Sequence, residues 1–153
     1  MMPKLNLPEY PCRIRTNRNG KHEIHDPFRK KFVRLTPEEW VRQNFLNFLV
    51  NRHSFPASLI HVEASLIYNR LSKRSDIVVY SRQGKPLLAV ECKAPTVEID
   101  QQVFSQLAMY NFTLKVPYLA LTNGIRHFIC RMEPANGSYT FLEEFPGYHE
   151  LHE

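Results

Sequence analysis

No run of apolar residues in this 153-residue chain approaches the roughly 20 that a membrane-spanning helix needs. The opening Met1-Met2-Pro3-Lys4-Leu5-Asn6-Leu7-Pro8 also lacks the apolar stretch of a secretory signal, so the expectation is a cytoplasmic protein with no membrane partner. Cysteine is scarce: Cys12, Cys92 and Cys130 are an odd number at wide intervals with no C-x-x-C pair, which argues against a disulfide framework or a structural zinc site. Cys92 and Cys130 are expected to pack as small apolar residues in strands. Gly84-Lys85 has Val79 where a phosphate-binding loop requires Gly, and no Ser or Thr follows the Lys, which excludes a nucleotide-driven motor built on that loop. Internal repeats, heptads, low-complexity segments and an aromatic-rich platform for single strands are absent as well.

What is present suits one domain over residues 1–153, since 43% hydrophobic residues can bury a sizeable core and the length is short for two. The net charge of +5 is unevenly placed. Residues 1–35 carry nine Lys and Arg against three acids, whereas the remaining 118 carry 11 against 12. The basic segment contains Arg13-Ile14-Arg15-Thr16 and Lys21-His22-Glu23-Ile24 flanking Asn17-Arg18-Asn19-Gly20, the pattern of a hairpin with an Asn-Gly turn. Arg29, Lys30, Lys31 and Arg34 either contact nucleic-acid phosphates, which would make binding salt-sensitive, or form a solvated basic face.

The chemistry concentrates further on. Ile77-Val78-Val79-Tyr80 and Leu87-Leu88-Ala89-Val90 read as two strands joined through Ser81-Arg82-Gln83-Gly84-Lys85. A two-residue Gln83-Gly84 turn would set Tyr80 against Leu87 and Asp76 against Glu91. Alternation then puts Glu91 and Lys93 on one face with Cys92 on the other. Two carboxylates and an ammonium would converge at one end of a buried hairpin, where like charges repel and need neutralising. Mg²⁺, with Mn²⁺ as a substitute, would do so through Asp76, Glu91 and the Cys92 carbonyl, and Lys93 would orient a water or offset charge on a phosphate. A Glu–Lys pair at a strand end beside an unrelated Asp is the plainer alternative.

Thr36-Pro37 with Glu39 reads as a capping box opening a helix whose stripe is Val41, Phe45, Phe48 and Leu49. Glu39 serves as that cap or stands near the metal. Ser58 to Leu66 reads as a strand in which Glu63 is a half-exposed polar position. Asn69 to Arg74 reads as a basic connection in which Lys73 and Arg74 meet a phosphate or are merely solvated. Val97 to Thr113 reads as a second helix, with Glu98 and Asp100 in its first turn and Val103, Leu107 and Tyr110 or Leu114 inward. Hairpin strands around Asn123-Gly124, a short strand at Tyr139-Thr140-Phe141 and a frayed tail from Gly147 close the chain.

Arg74-Ser75-Asp76, Glu91-Cys92-Lys93-Ala94-Pro95 and Gln106-Leu107-Ala108-Met109-Tyr110, with Leu35 to Gln43 opening the first helix, resemble the PD-(D/E)XK nuclease superfamily. Within it they resemble the N-terminal nuclease domains of type I restriction enzyme R subunits, over about residues 32–131. Residue 75 is Ser where the superfamily's name has Pro. The resemblance implies an α/β (α+β) fold with a restriction-endonuclease-like core. Helices flank a mixed central sheet in the order α-β-β-β-α-β, with an N-terminal hairpin extension over 1–35, the core over 36–131 and a C-terminal strand and tail over 132–153. It implies metal-dependent DNA hydrolysis by Asp76, Glu91 and Lys93, with Gln106 and Tyr110 supporting the catalytic face or the DNA. The implied partners are duplex DNA and separate restriction-system subunits, with a homodimer as one route to cutting both strands. The alternative is a DNA-binding or assembly module that needs a partner for turnover.

Overall fold

Thr36 and Pro37 start the first helix as their chemistry dictates. Thr36 is extended (φ −106°, ψ 163°), its Oγ1 accepts the Glu39 N–H at 3.0 Å, and Pro37 takes the first helical position, where no amide partner is required. Helix α1 (Pro37–Asn47) then runs on through a π-helical turn over Phe48–Arg52 and buries Val41, Phe45, Leu46 and Leu49. The structure, a computed structural model, describes residues 2–68, 70–111, 115–133 and 135–153.

A three-stranded antiparallel sheet precedes the helix: β1 (Ile14–Thr16), β2 (His22–Asp26) and β3 (Lys31–Arg34). Its first hairpin closes through the expected Asn17–Gly20 turn, with Lys21 O accepting from Asn17 N at 2.8 Å. The larger sheet has six strands in the order β4 (Ile60–Tyr68), β5 (Leu71–Tyr80), β6 (Pro86–Cys92), β7 (Tyr118–Thr122), β8 (His127–Glu133), β9 (Ser138–Phe141). Only β6 and β7 run parallel, and a parallel neighbour requires a crossover, supplied by helix α2 (Gln101–Asn111). The expected order α-β-β-β-α-β is therefore present as α1-β4-β5-β6-α2-β7, a mixed sheet between two helices.

One apolar layer holds α1 against Ile60, Ile77, Val79, Leu88, Val90, Cys92 and Ala120. The other holds Phe104 and Ala108 of α2 against Val78, Ala89, Leu119, Leu121 and Cys130. The alternation of β5 and β6 residues between these layers, with Cys92 and Cys130 both buried in strands, is the period-2 pattern expressed as packing.

Several local expectations give way. The hairpin between β5 and β6 closes through three residues rather than two: Ser81 N donates to Lys85 O at 2.7 Å, and Gly84 takes φ +83°. An irregularity between Val79 and Tyr80 then sets Tyr80 against Pro86, and this one-residue shift restores the anticipated register, with Ile77 opposite Val90 and Val79 opposite Leu88. Strand β5 begins at Leu71, so Lys73 and Arg74 belong to a long hairpin with β4 instead of a loose connection. Helix α2 starts at Gln101. Asp100 caps it, its Oδ1 accepting from Val103 N at 2.8 Å, and Glu98 lies ahead of it. The inward residues are Phe104 and Ala108, with Val103 exposed, while positions 112–114 fall outside the described residues. The tail is not frayed: Leu151 is buried in the α1-side core, and Tyr148 donates its hydroxyl to Tyr80 O at 3.0 Å.

The turn after β7 clamps the chain start. Gly124 O accepts from Asn6 N at 2.8 Å, and Gly124 sits at φ +85°, where an added Cβ would meet Leu5 Cδ2 at 2.7 Å and Val41 Cγ2 at 3.2 Å. Gly124→Ala combines a left-handed backbone penalty with overpacking, and a loss of roughly 1–3 kcal/mol is expected in urea unfolding. An unchanged midpoint would show that Leu5 yields freely.

Candidate active site

The site grows from the end of the β5–β6 hairpin. With Ile77 paired to Val90, the next residues outward are Asp76 and Glu91. Asp76 Oδ2 accepts the Cys92 backbone N–H at 2.7 Å, and the Glu91 carboxyl stands close enough to act on the Asp76 carboxyl. A buried carboxyl beside another carboxyl is harder to ionise, and Asp76 is so placed. Burial, followed by the neighbouring Glu91, pushes Asp76 up to about 6 against the opposing Cys92 N–H and Arg42.

The cations touching this pair are not the expected one. Arg42 Nη1 lies 3.4 Å from Asp76 Oδ1, and Lys73 Nζ lies 3.0 Å from Glu91 Oε1. Lys93 has its backbone N–H on Thr122 O at 2.8 Å, while its side chain is exposed and forms no ion pair among the described residues. The connection beyond Lys93 is pinned from the β7–β8 turn, because Asn123 Nδ2 donates to Val97 O at 2.8 Å and Arg126 Nη1 to Ile99 O at 3.1 Å. Asp76 and Glu91 are thus brought together, and Lys93 stands at the rim of the same strand end.

Behind the carboxyl pair lies a network of alternating charge. The Glu39 carboxylate accepts from Arg42 at 2.7 and 3.0 Å, from Arg29 at 2.7 Å and from Gln43 at 3.1 Å. Burial would favour its neutral form, but bonds from Arg42, Arg29 and Gln43 outweigh burial and hold Glu39 below the usual carboxylate range. With both oxygens engaged, Glu39 is the anchor of two arginines, which displaces the metal-ligand role expected of it. Its capping-box role is equally absent, since the side chain turns away from Thr36. Arg29 also pairs with the fully buried Asp26, so it is spent inside the protein and is unavailable to a phosphate. Lys30, Lys31 and Arg34 remain exposed. Arg74 pairs with Glu63 at 2.6 Å while staying exposed, whereas Lys73 is shielded against Glu91 and is not the solvated turn residue that was anticipated.

Glu63 and Arg42 are the participants that reading the sequence missed. Glu63 lies between the paired positions Val62↔Ile77 and Ala64↔Ser75, across from Asp76, and takes φ 56°, a costly conformation for a non-glycine residue. Ile60 and Val62 pack on the α1 side and Leu66 on the α2 side although all share one parity, so β4 changes face at Glu63. That twist lets Glu63 meet Arg29 at 3.3 Å and Arg42 at 3.5 Å. No sequence signal marks it. Arg42 carried one, its i,i+3 spacing from Glu39 on a helix. Next to Asp76, Ser75 Oγ is buried with no partner among the described residues.

Among the described residues no three His, Cys, Asp or Glu side chains stand close enough to hold an ion by themselves. The donor set that fits one is the Asp76–Glu91 pair with a backbone oxygen, which suits a hard, oxygen-seeking, partly hydrated Mg²⁺. Gln106 is exposed on α2, and the side chain of Tyr110 lies outside the described residues.

Two outcomes follow. Glu39→Ala leaves Arg29 and Arg42 buried without their shared acceptor, and a destabilisation of roughly 3–5 kcal/mol is expected in chemical denaturation; a mere ligand residue would leave metal-free stability intact. For Asp76, the raised folded value means that its contribution is fully present below the ordinary carboxylate range and is lost as pH rises through about 6. Asp76→Asn does not titrate, so its melting temperature relative to the parent should climb between pH 4 and pH 7, by about 2 kcal/mol of stability. A flat difference would refute the raised Asp76.

The family model described as Type I restriction enzyme R protein N terminus matches residues 37–146. No curated protein gives a significant match. A solved structure described as an HsdR-subunit fragment of a type I restriction enzyme from Vibrio vulnificus YJ016 is similar, with a TM-score of 0.53 and 21% identity. The likeness covers 76% of this chain and 24% of that one, so the chain spans about a quarter of that structure's length. No described helix is long and apolar enough to cross a membrane. With α1, the hairpin carrying Asp76 and Glu91, α2 and the closing strands all inside the matched region, the chain belongs to the family of type I restriction enzyme R protein N termini.

Proposed function

We propose that this chain hydrolyses DNA phosphodiester bonds with Mg²⁺, for which Mn²⁺ substitutes, as the nuclease part of a restriction system. The observation that carries the reading is the Asp76–Glu91 pair, set side by side by the register of β5 and β6. Asp76, Glu91 and the Cys92 carbonyl would hold the ion, which supplies a Lewis acid for the phosphate and a lower pKa for the attacking water.

The protein's own groups do the rest. Burial and the neighbouring Glu91 push Asp76 up to about 6, so Asp76 carries its charge in the neutral to basic range. Arg42 holds Asp76 from the α1 side without leaving its bonds to Glu39. Lys93, exposed at the rim, orients the water and offsets charge developing on the phosphate. Gln106 on the exposed side of α2, and Tyr110 one turn on, would contact the DNA or the reacting face. Arg13, Arg15, Lys30, Lys31 and Arg34 are exposed on the N-terminal sheet and offer salt-sensitive phosphate contacts to duplex DNA. As a member of the family of type I restriction enzyme R protein N termini, the chain would act beside further restriction-system subunits, in the cytoplasm.

A second reading, a DNA-binding or assembly module that needs a partner for turnover, draws on the internal pairing of both carboxylates with Arg42 and Lys73. Incubation with plasmid and Mg²⁺ or Mn²⁺ separates the two: nicking supports the enzyme, and a salt-sensitive mobility shift alone supports the module. Lys93→Ala alters an exposed side chain, so stability should stay within about 0.5 kcal/mol while cleavage falls by at least roughly 100-fold. Undiminished metal-dependent nicking would remove Lys93 from the mechanism.

A further inference from the structure

Lys73 occupies a place that the expected nuclease chemistry leaves unexplained. Its Nζ lies 3.0 Å from Glu91 Oε1, and the two side chains are only 13% and 15% exposed, so the pair is shielded from bulk water. Strand geometry puts both groups on one side of the sheet. Lys73 pairs across from Leu66, which is buried in the α2-side core, and Glu91 follows two residues after Ala89 of that same core. Arg42 meanwhile divides its contacts among Glu39, Glu63 and Asp76, so it neutralises the other half of the carboxyl pair.

We infer that Lys73 is the resident counter-ion of Glu91, which it holds while no divalent ion is bound and releases when one arrives. The inference rests on the metal-site reading above. A divalent cation that takes Glu91 Oε1 as a ligand weakens the ammonium's hold on that oxygen, because like charges a few ångströms apart in a shielded site repel. Lysine suits exchange better than arginine: it is a compact charge on a flexible four-carbon stem and can withdraw without breaking a two-pronged contact. The device keeps two adjacent carboxyl groups tolerable in the ion-free protein and sets a threshold that the ion must exceed. Lys73 is in this sense a positioning residue, acting through Glu91.

The test is calorimetric titration of Mn²⁺ into the parent protein, Lys73→Met and Arg74→Met. Arg74 is adjacent in sequence and equal in charge, but it serves Glu63. Direct exchange predicts that Mn²⁺ binds about tenfold tighter to Lys73→Met and less than about threefold tighter to Arg74→Met, which loses only a distant, screened charge. In the parent protein the NMR signal of the Lys73 ε-methylene should move with the same midpoint as ion binding, a readout that needs no variant to fold. Equal gains in both variants would reduce the effect to net charge and overturn the inference. An unmoved Lys73 signal during saturable binding would do the same while leaving the ion site standing. Failure of all three proteins to bind Mn²⁺ would overturn the ion site, and the exchange with it.

Discussion

The buried contact between Glu39 and Arg42 is the constraint on which the rest of the structure leans. Each charge would be expensive to desolvate alone, so each is usable only because the other is there, and the surplus bonding capacity of both is directed outward. Glu39 spends it on Arg29 and so ties the three-stranded sheet to α1. Arg42 spends it on Asp76 and Glu63 and so ties α1 to the central hairpin. The helix thus serves as a bracket, fixing the height at which Asp76 stands beside Glu91.

What stands on that bracket is a deliberately unfavourable pair. Burial and the neighbouring Glu91 raise the cost of ionising Asp76, and the protein sets around the pair a backbone N–H from Cys92, a guanidinium from Arg42 and an ammonium from Lys73. The left-handed backbone at Glu63 and the Ser75 hydroxyl, which has no partner among the described residues, lie beside the same spot, as expected where a fold carries strain for the sake of a site.

Much of this was legible from local chemistry. Thr36 and Pro37 declared the start of α1, Asn17 to Gly20 declared the first hairpin, and strand periodicity through Val90 and Ile77 declared that Asp76 and Glu91 would be opposite neighbours. That last pairing held although the turn was misjudged, because the irregularity at Tyr80 compensates for the three-residue loop. The errors share a cause. Lys73 and Arg29 look like solvated or phosphate-seeking charges in a linear reading, since their acidic partners, Glu91 and Glu39, are not neighbours along the chain. The inward face of α2 was misplaced by one residue for the same reason: Val103 and Phe104 are both apolar, and only the opposing sheet selects between them.

The amino-acid sequence alone determined the elements, their order and the chemistry available at the β5–β6 end, because capping, turn preference and two-residue alternation act over a few bonds. Which charge meets which was decided only in three dimensions. Ion pairing depends on distances between strands and helices that pack independently of sequence separation, and burial then multiplies the cost of any charge left unmatched. Hence Glu39 became an anchor for arginines, Glu63 a hinge in β4, and Lys73 the partner of Glu91.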